Sequence, residues 1–258
     1  MLEVIEKGSR TAQPLLFVHG GWHGAWCWEN FLDYFADAGY RAVAVSLRGH
    51  GASPGPASLR WCAMSDYLAD IASVVDTLGG QPVLIGHSLG GFAVQRFLET
   101  RRAPAAVLVG SVPPKGFFKL AMRVWRRHPL IALRAFAGGT LLEFVDTPAM
   151  ARDYLFCAQT PDDVVEACRS QAGPESLRAA ALDPMIRRVR TGLVTTPMLV
   201  LGAEHDGFVS TAEVRMTADA YRTEAEFFAM GHNMMLEPGW PEVATRIHDW
   251  LQTRDQPI

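Results

Sequence analysis

An α/β fold, with a mostly parallel central sheet flanked by helices and an inserted helical cap, is the class this sequence predicts. Three observations predict it. Short apolar runs recur along the chain, amphipathic segments with helical spacing alternate with them, and the alternation stops over one block, residues 115–194. The length of 258 residues suits one large domain with an insertion. The expected organisation is therefore a core of residues 1–114 and 195–258, with residues 115–194 as the cap.

The apolar runs Leu15–Val18, Ala42–Val45, Val83–Ile85, Ala105–Val109, Met198–Leu201 and Ala225–Ala229 read as strands. Early helices are expected at Trp28–Ala38, Asp66–Leu78 and Ser88–Thr100. In the second, Leu68, Ile71, Val75 and Leu78 recur at three- and four-residue intervals. Late helices are expected at Thr211–Tyr221 and Pro241–Thr253, the latter opening on a proline suited to a first helical turn. Residues 115–194 show helix-like patches divided by Gly138-Gly139, Pro148, Pro161 and Pro174. Their charge also differs: 12 Lys and Arg against 8 Asp and Glu, whereas the rest of the chain carries 12 against 19.

Composition excludes several classes. The chain is 49% hydrophobic and 20% charged, with a formal net charge of −3, which gives no general case for nucleic-acid binding. Met1–Lys7 lacks the layout of a signal peptide, and no apolar run reaches a membrane-spanning length. Cys27, Cys62, Cys157 and Cys168 are widely spaced, which suits buried free thiols better than a disulfide or metal set. A cytoplasmic location is the expectation. No H-E-x-x-H spacing or nucleotide-binding glycine loop is present, so neither metal nor cofactor is expected.

Gly86-His87-Ser88-Leu89-Gly90 follows the run Val83–Ile85 directly. In that context the serine sits on a sharp strand-to-helix turn with its hydroxyl exposed, and side chains at Gly86 or Gly90 would collide where strand and helix cross. A serine hydroxyl needs a base to act as a nucleophile at neutral pH. His232, on the loop after Ala225–Ala229, is the expected base. Asp206, after Met198–Leu201, is the expected acid that orients it, with Glu204 as its rival. Two backbone amides should bind a developing oxyanion. One is that of Leu89, at a helix N-terminus; the other is that of Gly21, in His19-Gly20-Gly21-Trp22. Arg48-Gly49-His50-Gly51 reads as a structural turn.

These residues together resemble the α/β-hydrolase superfamily. The resemblance rests on His19-Gly20-Gly21-Trp22, Arg48-Gly49-His50-Gly51-Ala52-Ser53, Gly86-His87-Ser88-Leu89-Gly90-Gly91, Asp206 and His232. The Ser…Asp…His order is the one that superfamily uses. The segment His19–Trp26 is also similar to the corresponding loop of plant methylesterases and hydroxynitrile lyases. Such lyases carry a threonine after the first histidine and a lysine after the catalytic one. Gly20 and Asn233 stand there in this chain, which argues for hydrolysis.

The expected activity is that of a serine hydrolase acting on a small to medium, rather apolar carboxylic ester. Alternatives are thioester, amide or C–C hydrolysis or cofactor-free lyase chemistry on the same triad, or a ligand-binding module with slow or no turnover. Expected substrate contacts are Trp22, Phe117 and Trp125. In the cap's first helix, Phe117, Leu120, Val124 and Trp125 would form an apolar face opposite Lys119, Arg123, Arg126 and Arg127. Core packing is the favoured reading of that stripe, and peripheral membrane contact through the cap the rival one.

Overall fold

A computed structural model describes residues 1–116, 118–138 and 140–254. Seven strands form one sheet in the order β1-β3-β2-β4-β5-β6-β7. They are β1 (Val4–Lys7), β2 (Pro14–Val18), β3 (Arg41–Val45), β4 (Val83–His87), β5 (Ala106–Val109), β6 (Met198–Ala203) and β7 (Ala225–Phe228). Only β1 is antiparallel; it pairs with β3 at the sheet edge.

Every residue of β2 is buried, as a central parallel strand with helices on both faces requires. Because strand side chains alternate, Leu15 and Phe17 face one core, and Leu16 and Val18 the other. The first core receives helices α1 (Glu29–Asp37) and α10 (Trp240–Gln252), through Phe31, Phe35, Val243 and Ile247. Phe17 lies 5.1 Å from the Trp28 ring and 5.7 Å from that of Phe35. Full burial of each such phenyl contributes about 1.5–3 kcal/mol. The second core receives α2 (Met64–Val75), α3 (Ser88–Phe97) and α9 (Thr211–Ala220).

Two sequence expectations are corrected here. Strand β1 was not among the expected elements; it is a half-exposed edge strand, so it lacks an apolar run. Helix α2 stops at Val75 rather than Leu78, because Thr77 and Leu78 bond back to Val74 and Val75 in tight turns before Gly79 turns left-handed at φ 73°.

Between β5 and β6 run α4 (Phe118–Arg127), α5 (Pro129–Ala137), α6 (Pro148–Leu155), α7 (Asp162–Gln171) and α8 (Asp183–Ile186), with a short π-helical stretch at Arg178–Leu182. Pro148 opens α6, where its missing N–H costs nothing. Leu120 and Val124 of α4 bury against the second core, whereas Phe118 and Met122 remain exposed. The basic side of α4 is partly committed: Arg123 pairs with Glu213 at 2.7 Å, and Arg127 pairs with Asp153. Glu213 also caps α9 by accepting from the Ser210 N–H and Oγ–H, so α4 and α9 are tied through one carboxylate. All four cysteines are buried and unbridged. No helix among the described residues is long and apolar enough to cross a membrane.

Strand order places the loops after β2 and β4 side by side. In open parallel sheets, that reversal point at the strands' C-terminal ends is where a crevice opens for ligands.

Candidate active site

Ser88 is the first residue of α3, directly after β4, and has φ 51°, a left-handed conformation that costs a non-glycine residue on the order of 1–3 kcal/mol. The turn is possible because β4 and α3 cross at glycines. A Cβ on Gly86 would lie 2.7 Å from the Gly91 Cα, and one on Gly90 would lie 2.5 Å from the Val18 carbonyl oxygen. The β2 loop packs against the same turn: a Cβ on Gly20 would sit 2.8 Å from the Ser88 Cβ. Trp22 in that loop is likewise left-handed, at φ 66°.

His232 follows β7, and its Nδ1 lies 2.7 Å from Asp206 Oδ2, both side chains being almost fully buried. The other carboxylate oxygen of Asp206 accepts the N–H groups of Phe208 (2.7 Å) and Val209 (2.8 Å). A carboxylate can only accept, so the proton of this contact belongs to Nδ1. The His232 Nε2 is buried and makes no hydrogen bond in the structure. Glu204, the rival acid, is exposed.

The His232 loop is pinned from several sides. His87 Nε2 lies 3.0 Å from the His232 carbonyl oxygen, and their rings are 4.6 Å apart. The buried carboxylate of Glu237 accepts from the N–H groups of Gly231 and Cys157, both at 2.8 Å. Asn233 donates its backbone N–H to Leu155 and its side-chain amide to His23 Nε2.

A predominantly apolar cavity borders Ser88. Of the expected residues, Gly21, Trp22, Ser88, Leu89 and Trp125 border it. Phe117 lies outside the described residues. Phe208 borders it too, and links it to the histidine through a ring contact of 5.4 Å with His232.

Two buried polar features were not among the candidates drawn from the sequence. Glu175 borders the cavity; it accepts from the Tyr67 hydroxyl (2.7 Å) and lies 3.2 Å from His50 Nε2. Burial opposes charge on both Glu175 and His50. Their mutual attraction, reinforced for Glu175 by the Tyr67 hydroxyl and the Ser176 N–H, holds the carboxyl below and the imidazole above its usual pKa. His50 belongs to the loop read as a structural turn, and no periodic signal marks Glu175.

The second feature is a set of neutral histidines. Burial first, then neighbouring histidines, push His19 and His87 well below 6.5; burial likewise pushes His23 to about 4. A histidine whose folded pKa is depressed stabilises the fold above its unfolded value near 6.5, and that contribution is lost as the pH falls toward the folded value. For His23 alone the loss is of order 3 kcal/mol by pH 4. His50 acts in the opposite sense, since its raised pKa favours folding below about 6.5. With three histidines against one, urea midpoints are expected to fall from pH 7 to pH 5. An equal or higher midpoint at pH 5 would contradict the neutral assignment.

Residues 15–244 match the profile described as the alpha/beta hydrolase family. A non-heme chloroperoxidase from Streptomyces lividans is 40% identical over 111 residues, which span 42% of this chain and 40% of that protein. Methyl jasmonate esterase 1 from Vitis vinifera is 32% identical over 116 residues, 43% of this chain and 44% of that protein. The matches thus span less than half the length of these curated relatives. Among solved structures, a thermophilic esterase from Thermogutta terrifontis superposes with a TM-score of 0.79 at 24% identity, covering 99% of this chain and 94% of that one. Among the described residues, no group of three or more His, Cys, Asp and Glu is arranged to hold a metal ion.

Proposed function

This chain belongs to the alpha/beta hydrolase family, and from that premise we propose that it is a serine hydrolase cleaving carboxylic esters of small to medium, rather apolar substrates. The observation that carries the reading is the His232–Asp206 contact of 2.7 Å, on a loop whose His232 carbonyl lies 3.0 Å from Nε2 of His87, the residue before a left-handed Ser88 that borders the cavity. Ser88 Oγ attacks the ester carbonyl while His232 Nε2 takes its proton. Asp206 keeps the Nδ1 proton in place and stabilises the imidazolium. The Gly21 and Leu89 amides receive the oxyanion, helped by the N-terminal dipole of α3. His232 then protonates the leaving alcohol, and water attacks the acyl-enzyme by the same route in reverse.

Residues 115–194 form the cap in this reading, over a core of residues 1–114 and 195–258. Leu120, Val124 and Trp125 of α4, with Ala180 and Ala181 of the π-helical stretch, supply the apolar walls that receive the substrate. The neutral state of His87 supports His232 as the base, because a second cation 4.6 Å away would disfavour its protonation. The test is hydrolysis of p-nitrophenyl esters over a range of acyl lengths, with fluorophosphonate labelling mapped by peptide mass. The expected result is turnover with the adduct on Ser88. Labelling of another residue, or turnover of thioesters or amides in preference to esters, overturns the assignment.

A further inference from the structure

We propose that Glu175 is a specificity-determining residue that accepts a hydrogen bond from a hydroxyl on the acyl chain, so that the favoured substrates are esters of hydroxy acids. This rests on the ester-hydrolase reading. Glu175 is the sole charged side chain among the described residues bordering the cavity. Its two oxygens are unequally used. Oε1 accepts the Tyr67 hydroxyl at 2.7 Å and the Ser176 N–H at 2.6 Å, which fills its two acceptor positions. Oε2 faces only His50 Nε2, at 3.2 Å, and keeps a lone pair. That same oxygen lies 3.3 Å from where a Cβ on Gly21 would stand, beside the amide proposed to bind the oxyanion. The carboxylate is therefore held close to the reacting carbonyl.

An accepting oxygen in an otherwise apolar wall discriminates by chemistry. A hydroxyl a few bonds from the carbonyl carbon gains a charge-assisted hydrogen bond there, whereas a plain alkyl chain leaves the lone pair without a donor. A second carboxylate is repelled. Sites that hydrogen-bond a substrate hydroxyl discriminate strongly against analogues that lack it.

The test compares ethyl butanoate, ethyl 3-hydroxybutanoate and monoethyl succinate with the wild-type protein and Glu175→Gln. In the wild type, kcat/KM for the hydroxy ester is expected to exceed that for ethyl butanoate by about 10- to 100-fold, with monoethyl succinate poorest. In the variant the amide oxygen stays on Tyr67 and Ser176 and its NH2 replaces Oε2. The hydroxyl preference should fall, because the NH2 can offer the hydroxyl oxygen only a neutral hydrogen bond, and the succinate ratio should rise. Each comparison is a ratio within one protein, so a general loss of turnover cancels. A wild-type ratio near one overturns the proposal even where the variant does not fold, as does an undiminished ratio in a folded variant. Titration of the intrinsic tryptophan fluorescence, to which Trp22 and Trp125 at the cavity contribute, with butanamide and 3-hydroxybutanamide reads binding without turnover. Equal affinities overturn the role of Glu175, whereas hydrolysis of none of the three esters overturns the ester reading alone.

Discussion

Replacing Ser88 with alanine is expected to lower kcat on p-nitrophenyl esters by about 10⁶-fold, the scale seen when the nucleophile of such a triad is removed. The residual rate should still exceed the uncatalysed one, because backbone donors at Gly21 and Leu89 and the apolar walls remain. No other hydroxyl or thiol side chain is among the described residues bordering the cavity, so no neighbour stands ready to substitute. Stability should change little. Alanine keeps the Cβ that serine already carries, and the strain at φ 51° is set by the crossing of β4 and α3. Steady-state turnover and a thermal melt on the same preparation check both halves. A loss smaller than tenfold would remove Ser88 from the chemistry. A melt displaced by tens of degrees would mean that the hydroxyl serves the fold.

The parts of this molecule that could be read from its sequence share a physical cause. Strands β2, β4, β5 and β6 are buried on both faces, so each carries a run of consecutive apolar residues. Ser88, Asp206 and His232 each follow a strand end, which makes their chain order informative. Strand β1 escaped because an edge strand needs no apolar run, as its burial pattern shows. Glu175 and His50 escaped for a different reason. They are 125 positions apart, and a buried imidazole–carboxylate contact leaves no periodic trace when each partner stands in irregular chain. Glu237 is similar: its role in holding Gly231 and Cys157 exists only once α6 has folded against the histidine loop. Spacing along a chain reports what a regular element must bury. It says little about which irregular segments meet above the sheet.

Asp206→Asn is expected to lower kcat by about 10⁴-fold with little change in KM, and the reason lies in the orientation the new amide must take. Asp206 Oδ1 accepts two backbone N–H groups, at 2.7 and 2.8 Å, and only an oxygen can satisfy both. Asparagine would therefore keep its carbonyl oxygen in that position and turn its NH2 toward His232 Nδ1. A donor there forces Nδ1 to accept, which moves the imidazole proton to Nε2. The histidine would remain in place, but its lone pair would point at asparagine, and no base would face Ser88. The altered proton position and the lost carboxylate charge act together, since the imidazolium formed during attack would also go unpaired. Fluorophosphonate labelling of Ser88 should slow in parallel with turnover, because both need the same proton removed. If turnover fell by less than tenfold, the acid assignment would pass from Asp206 to a carboxylate such as Glu204, which the fold leaves exposed after the same strand.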